Sequence, residues 1–194
     1  MENKIENKEM TAQQSLNIIS EMMNNSRRII LQSSAKHFIL WGILLIVTSF
    51  VIYELWHITG NPVWNVAWFV MPALGFPMVR ILERKETDVP QNKINMNIGL
   101  IWLTYCIFAV LLSVIAMLWV PMNISLIIVA LVGFAECISG FLLKNWAITI
   151  SGFIIGIGGA VMASMLPGAE QLLIFTVCGI MLVVTGLIIK SQYK

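Results

Sequence analysis

The sequence predicts an all-α protein: a polytopic membrane bundle of six transmembrane helices with an N-terminal cytoplasmic amphipathic helix. Three observations predict it. Of the 194 residues, 58% are hydrophobic and 11% are charged, against roughly 25% charged in an ordinary soluble domain. The apolar residues fall into six runs, each long enough to cross a ~30 Å hydrocarbon layer at about 1.5 Å per helical residue. The links between the runs are short and differ in charge. The net charge of +2 gives no general attraction to nucleic acid, so direct nucleic-acid binding is not expected.

Residues 1–10, MENKIENKEM, are charged and lack an apolar period. They read as a disordered tail, and Met10 is a candidate second translation start. Thr11 and Gln14 match the Thr-x-x-Gln capping box. From there Leu16, Ile19, Met23 and Ile30 fall on one helical stripe. Glu21, Arg27 and Arg28 lie on the other faces. Segment 11–36 is therefore expected as an amphipathic helix ahead of the membrane, helical over 12–32. Two roles fit it: docking a protein partner or a second copy, or lying in the membrane interface with its arginines among lipid phosphates. The mostly polar lead is too long and too acidic for a cleaved signal peptide, so the first span is expected to act as an uncleaved signal-anchor.

The membrane domain, 37–190, is expected to hold spans at 37–56, 63–82, 96–118, 124–143, 146–165 and 171–189, with a short tail at 191–194. Pro72 and Pro77 lie inside the second span, and Pro72 is expected to kink it and free the Trp68 carbonyl. The fourth and fifth spans, joined by a very tight turn at Lys144-Asn145-Trp146, are expected in the middle of the bundle. The last link, LPGAE over 166–170, is a Pro-Gly turn followed by an acid.

Orientation follows from the positive-inside rule. Lys4, Lys8, Arg27, Arg28 and Lys36 precede span one; Arg80, Arg84, Lys85 and Lys93 join spans two and three; Lys144 joins four and five; Lys190 and Lys194 follow six. With spans alternating in direction, all twelve cations fall on one side. The opposite links hold Glu54, His57 and Glu170. Both termini are thus expected in the cytoplasm. Trp56, Trp64, Trp119 and Trp146 fall at span ends, where interfacial aromatics belong.

A weak internal repeat is present. A shift of 46 residues lays Gly133 on Gly179, Ser139 on Thr185, Gly140 on Gly186 and Lys144 on Lys190. The matched spans run in the same direction, so this is not an inverted transporter repeat.

Glu136 is the one carboxylate deep inside an apolar run. It lies eight residues before Lys144, about 12 Å from that end of the helix. An acid at that depth must face protein or water rather than acyl chains. Gly133, Ser139 and Gly140 share its face. The same depth in span three reaches Thr104 and Tyr105, which complete a candidate intramembrane polar site. Two readings stand: a proton or cation site, or a neutral acid hydrogen-bonded to Thr104, Tyr105 or a backbone carbonyl. In the repeat Glu136 falls on Leu182, so the scaffold does not require an acid there. Gly152, Gly156, Ala160 and Ser164 form a row of small residues in span five, expected to pack closely on another helix. The mixed-sign link 80–94, with Arg80, Arg84 and Lys85, is either a cytoplasmic binding surface or a solvated connector near anionic lipid.

Catalytic signatures are absent. There is no H-E-x-x-H, no G-x-S-x-G and no P-loop, and Asp88 is the only aspartate. His37 and His57 fall at opposite ends of span one, so they cannot share a metal. Cys106, Cys137 and Cys178 are unclustered within apolar runs and are expected to be packed thiols. No metal or cofactor is expected.

The opening TAQQSLNIISEMMNNSRR, the stretch GNPVWNVAWFVMPALGFP and six spans with both ends inside together resemble a family of small six-span inner-membrane proteins of Bacteroides-type bacteria. The resemblance covers nearly the whole chain and implies no activity, substrate or functional residue. Some members carry a carotenoid-oxygenase label, but that chemistry implies iron held by several histidines, and this chain has two. The resulting expectation is a non-catalytic membrane scaffold or signalling partner that presents cytoplasmic surfaces. The alternative is a small proton- or cation-linked transporter or channel using Glu136.

Overall fold

The computed structural model describes residues 12–83 and 93–193. The expected tail at 1–10, with Thr11, Arg84 and Lys85, lies outside the described residues. Among those described there are helices and no strand. Among the described residues, six helical stretches are long and apolar enough to cross a membrane.

The first helix, α1, runs Ala12–Thr59 without interruption, about 72 Å at helical rise. The amphipathic segment and the first span are therefore one element, not the two expected. The reason is local: neither proline nor glycine occurs between Ala12 and Gly42, so nothing removes a ladder hydrogen bond or loosens the backbone. After Gly60 (φ 67°), Asn61 caps a 3₁₀ helix, Pro62–Phe69, accepting from the Val63 amide at 3.0 Å. This passes directly into α2, Val70–Glu83. The kink expected at Pro72 is instead a change of helix type at Val70. Pro72 sits in the first turn of α2, where a missing N–H costs least.

Next come α3, Lys93–Leu118, and α4, Ile124–Leu143. The fifth span is α5, Trp146–Phe153, then a π-helical turn, Ile154–Gly158, then α6, Gly159–Met165. A 3₁₀ turn at Gly168–Glu170 leads into α7, Gln171–Gln192. The turn between α4 and α5 is a Schellman motif. The Asn145 amide donates to the Gly140 carbonyl at 3.0 Å and the Lys144 amide to Phe141 at 3.1 Å. Lys144 holds the left-handed position, φ 50°, and the Asn145 side chain caps α5 by accepting from Ile148 at 3.2 Å.

Two antiparallel pairs form the core. One is α4 with the fifth span; the other is α1 with α7, so α7 is as central as the fourth and fifth spans. In both pairs glycines bring backbones together. A Cβ on Gly133 would lie 2.2 Å from the Gly156 Cα, and one on Gly42 would lie 2.7 Å from the Gly179 carbonyl oxygen. The repeat has a structural counterpart here. Gly133 and Gly140 pack on the fifth span, and their matches Gly179 and Gly186 pack on α1. Ile30, Ile52, Ile148, Ile155, Ile174 and Ile189 fill the space between the pairs. The α2 helix attaches where the Trp41 ring lies over Gly75. The α3 helix packs chiefly on α4 and has no buried residue.

Side-chain amides latch the two ends. At the end bearing Lys144 and Lys190, Gln32 Nε2 donates to the Tyr193 carbonyl at 2.5 Å and Asn145 Nδ2 to Gln192 Oε1 at 3.3 Å. At the other end, Asn123 Nδ2 donates to the Ala163 carbonyl at 2.7 Å and Gln171 Nε2 to the Leu166 carbonyl at 2.9 Å.

Candidate buried polar site

The short turn at Lys144 sets the register of α4 against α5. Residues equally far from it meet: Gly140 with Thr149, Cys137 with Gly152, Gly133 with Gly156. Glu136 immediately precedes Cys137, and Ser151 immediately precedes Gly152. One residue back along each antiparallel helix puts both side chains on the same flank of the contact.

Glu136 is wholly buried, at 0% exposure, and Ser151 is 3% exposed. The Ser151 hydroxyl faces the Glu136 carboxyl. The two nevertheless do not meet in hydrogen-bonding geometry. Both carboxyl oxygens and the Ser151 Oγ lack a hydrogen-bond partner among the described residues. Three nearby polar groups on the two helices are satisfied locally. Ser139 Oγ donates to the Ala135 carbonyl at 2.8 Å, Thr149 Oγ1 to Asn145 at 3.2 Å, and Cys137 Sγ to Thr149 at 3.5 Å. Glu136 and Ser151 are thus a matched pair of exceptions, since buried polar groups are normally paired.

The hydrogen bond expected between Glu136 and Thr104 is not made. Thr104 is exposed, and its Oγ1 donates to Leu100 of its own helix at 2.8 Å. The cause is the placement of α3: a helix attached along one side turns most of its surface outward. Tyr105 is half-buried, with its ring edge-on to Trp102 at 5.8 Å. It neighbours Cys178 of α7, which in turn neighbours Glu136.

Gly152 is buried and Gly156 half-buried, both against α4, but the row does not continue through Ala160 and Ser164. Ala160 is half-buried and Ser164 exposed, while Gly159 and Ala163 are buried instead. Four residues turn about 400° at 3.6 per turn, so an i+4 row slides about 40° around the helix per step. Ser151 escapes sequence reasoning because a serine in an apolar span normally bonds its own backbone. The available signal was the turn, because the register it sets brings Ser151 within two residues of the level of Glu136 and onto the same flank.

Of the cations singled out, Arg28 and Arg80 are exposed and Arg27 is half-buried. His37 Nε2 lies 3.7 Å from Glu83 across the α1–α2 gap, a surface contact of small energetic weight. No group of three or more His, Cys, Asp or Glu side chains fit to hold a metal occurs among the described residues. Compared with protein-family models, with curated proteins and with solved structures, the chain matches none.

Proposed function

We propose that this is a non-catalytic integral protein of a bacterial inner membrane, both ends cytoplasmic, that presents an apolar helical projection to a protein partner or a second copy. One observation supports it above the rest: α1 outruns its own bundle. Gln32 is level with Tyr193, just past the end of α7. Beyond the buried Ile30 and Leu31, residues 13–25 of the same helix bury no side chain and extend about 20 Å at helical rise. Leu16, Ile19, Met22 and Met23 are all largely exposed there. A helix continuous with a span leads away from the bilayer, which favours docking over lying among headgroups. Arg27, Arg28 and Arg80 form the basic collar at its base in this reading. The bacterial membrane and the inward termini rest on the family resemblance and on the sorting of the cations.

Photo-crosslinking in intact cells tests the proposal. A photoreactive residue in place of Leu16 or Met22 is expected to capture protein, and deletion of residues 1–25, which spares the buried Ile30 and Leu31, to abolish co-purification of the captured species. The same probe at Leu100, exposed on α3, serves as the lipid-facing control. Capture of lipid alone at positions 16 and 22 would refute the docking role.

A further inference from the structure

We propose that Glu136 and Ser151 form an occluded site that takes up and releases one small positive charge, a proton or an alkali ion, on the flank of the α4–α5 contact. The inference does not depend on the role given to the projection of α1.

Charge balance comes first. An ionised carboxylate removed from water costs several kcal/mol even after relaxation unless a positive group offsets it. The groups around Glu136 offer none. Ser151 on α5 is neutral. The titratable neighbours are Cys137 on its own helix and Cys178 on α7, with Tyr105 and Cys106 of α3 beyond. Each of these can only lose a proton. Lys144 is eight residues away along α4, about 12 Å of rise. The neutralising charge must therefore be one that arrives.

Hydrogen-bond balance points the same way. A hydroxyl can both donate and accept. Beside a protonated carboxyl, Ser151 Oγ accepts; beside an ionised one, it donates; beside a bound ion, it offers a lone pair. Rotation about one bond serves every charge state, which the fixed amides latching the bundle ends do not do. The backbone next to the site is also the least regular in the span. The π-helical turn starts at Ile154, three residues past Ser151, and such turns loosen the helical ladder. Neither hydroxyl nor carboxyl is used in packing the pair, since the glycines do that.

Infrared spectroscopy of the full chain in lipid nanodiscs tests the site. The expected result is a carboxylic-acid carbonyl band, absent from Glu136→Gln, that is lost and regained reversibly as pH is cycled while circular dichroism stays constant. Ser151→Ala is expected to keep the band but shift its frequency and its pH midpoint. Should Glu136→Gln fail to fold, that frequency shift assigns the band. Sodium or potassium chloride removing the band at fixed pH, where choline chloride does not, identifies an alkali ion; indifference to all three salts identifies the proton. A Glu136 band unchanged by pH and salt, or none at any pH, overturns the proposal.

Discussion

Single side chains in this protein matter most where one is missing. Gly133 leaves no room for a methyl group against Gly156, whereas Gly99 on α3 has nothing within 4 Å of an added Cβ. Gly133→Ala is expected to destabilise the bundle by about 1–3 kcal/mol through overpacking. Gly99→Ala is expected to be neutral or to stabilise by up to about 1 kcal/mol through helix propensity. Unfolding of both variants in mixed micelles reads the difference directly, and equal effects would refute the packing account. Ser49 tests the polar side of the same pairing. Its hydroxyl donates to the Leu45 carbonyl at 2.6 Å and shares a 2.9 Å bond with Thr176 between α1 and α7. Ser49→Ala is expected to cost about 0.6 kcal/mol, the usual size of such a bond between membrane helices, measured by the same unfolding assay. That Gly133 and Gly140 are contact glycines was legible in their spacing. That Gly42 opposes Gly179 was not, because the two lie 137 positions apart and only the closing of α7 on α1 brings them together.

Among the elements, the α4–α5 hairpin and the projection of α1 respond in opposite ways to change. Lys144 occupies a left-handed conformation that costs a non-glycine residue about 1–2 kcal/mol. Lys144→Gly is thus expected to raise stability by about 1 kcal/mol, and Asn145→Ala to lower it by about 1 kcal/mol by removing the α5 cap. A common direction of change in the two unfolding curves would be inconsistent with this turn. Residues 13–25 of α1 contribute no buried side chain. Deleting residues 1–25 is expected to leave the bundle's unfolding unchanged within about 0.5 kcal/mol, and a large loss would mean that the projection folds back on the spans. The tight turn at Lys144-Asn145 was legible from two apolar runs separated by two residues. The continuity of α1 was harder to see, because an amphipathic pattern giving way to an all-apolar one looks like a boundary. Backbone geometry registers only breakers, and there are none.

Over the whole molecule, thiol labelling reports which spans are central. Cys106 on α3 is half-exposed, and Cys137 and Cys178 are buried. A membrane-permeant maleimide is expected to modify Cys106 in the folded protein and all three thiols after denaturation, as mass spectrometry would show. Labelling of Cys178 before Cys106 would contradict the arrangement. The helical class, the six apolar stretches and the positions of the short links follow from the chain alone, since they depend on composition and local breakers that no partner helix alters. Which helices pair, that α3 stands at the edge with Thr104 turned outward, and that Glu136 and Ser151 are both buried without a hydrogen-bond partner came from packing. In a chain this uniformly apolar almost every face is greasy enough to be buried. The choice among faces falls to where backbones can approach, and that is a property of two helices at once.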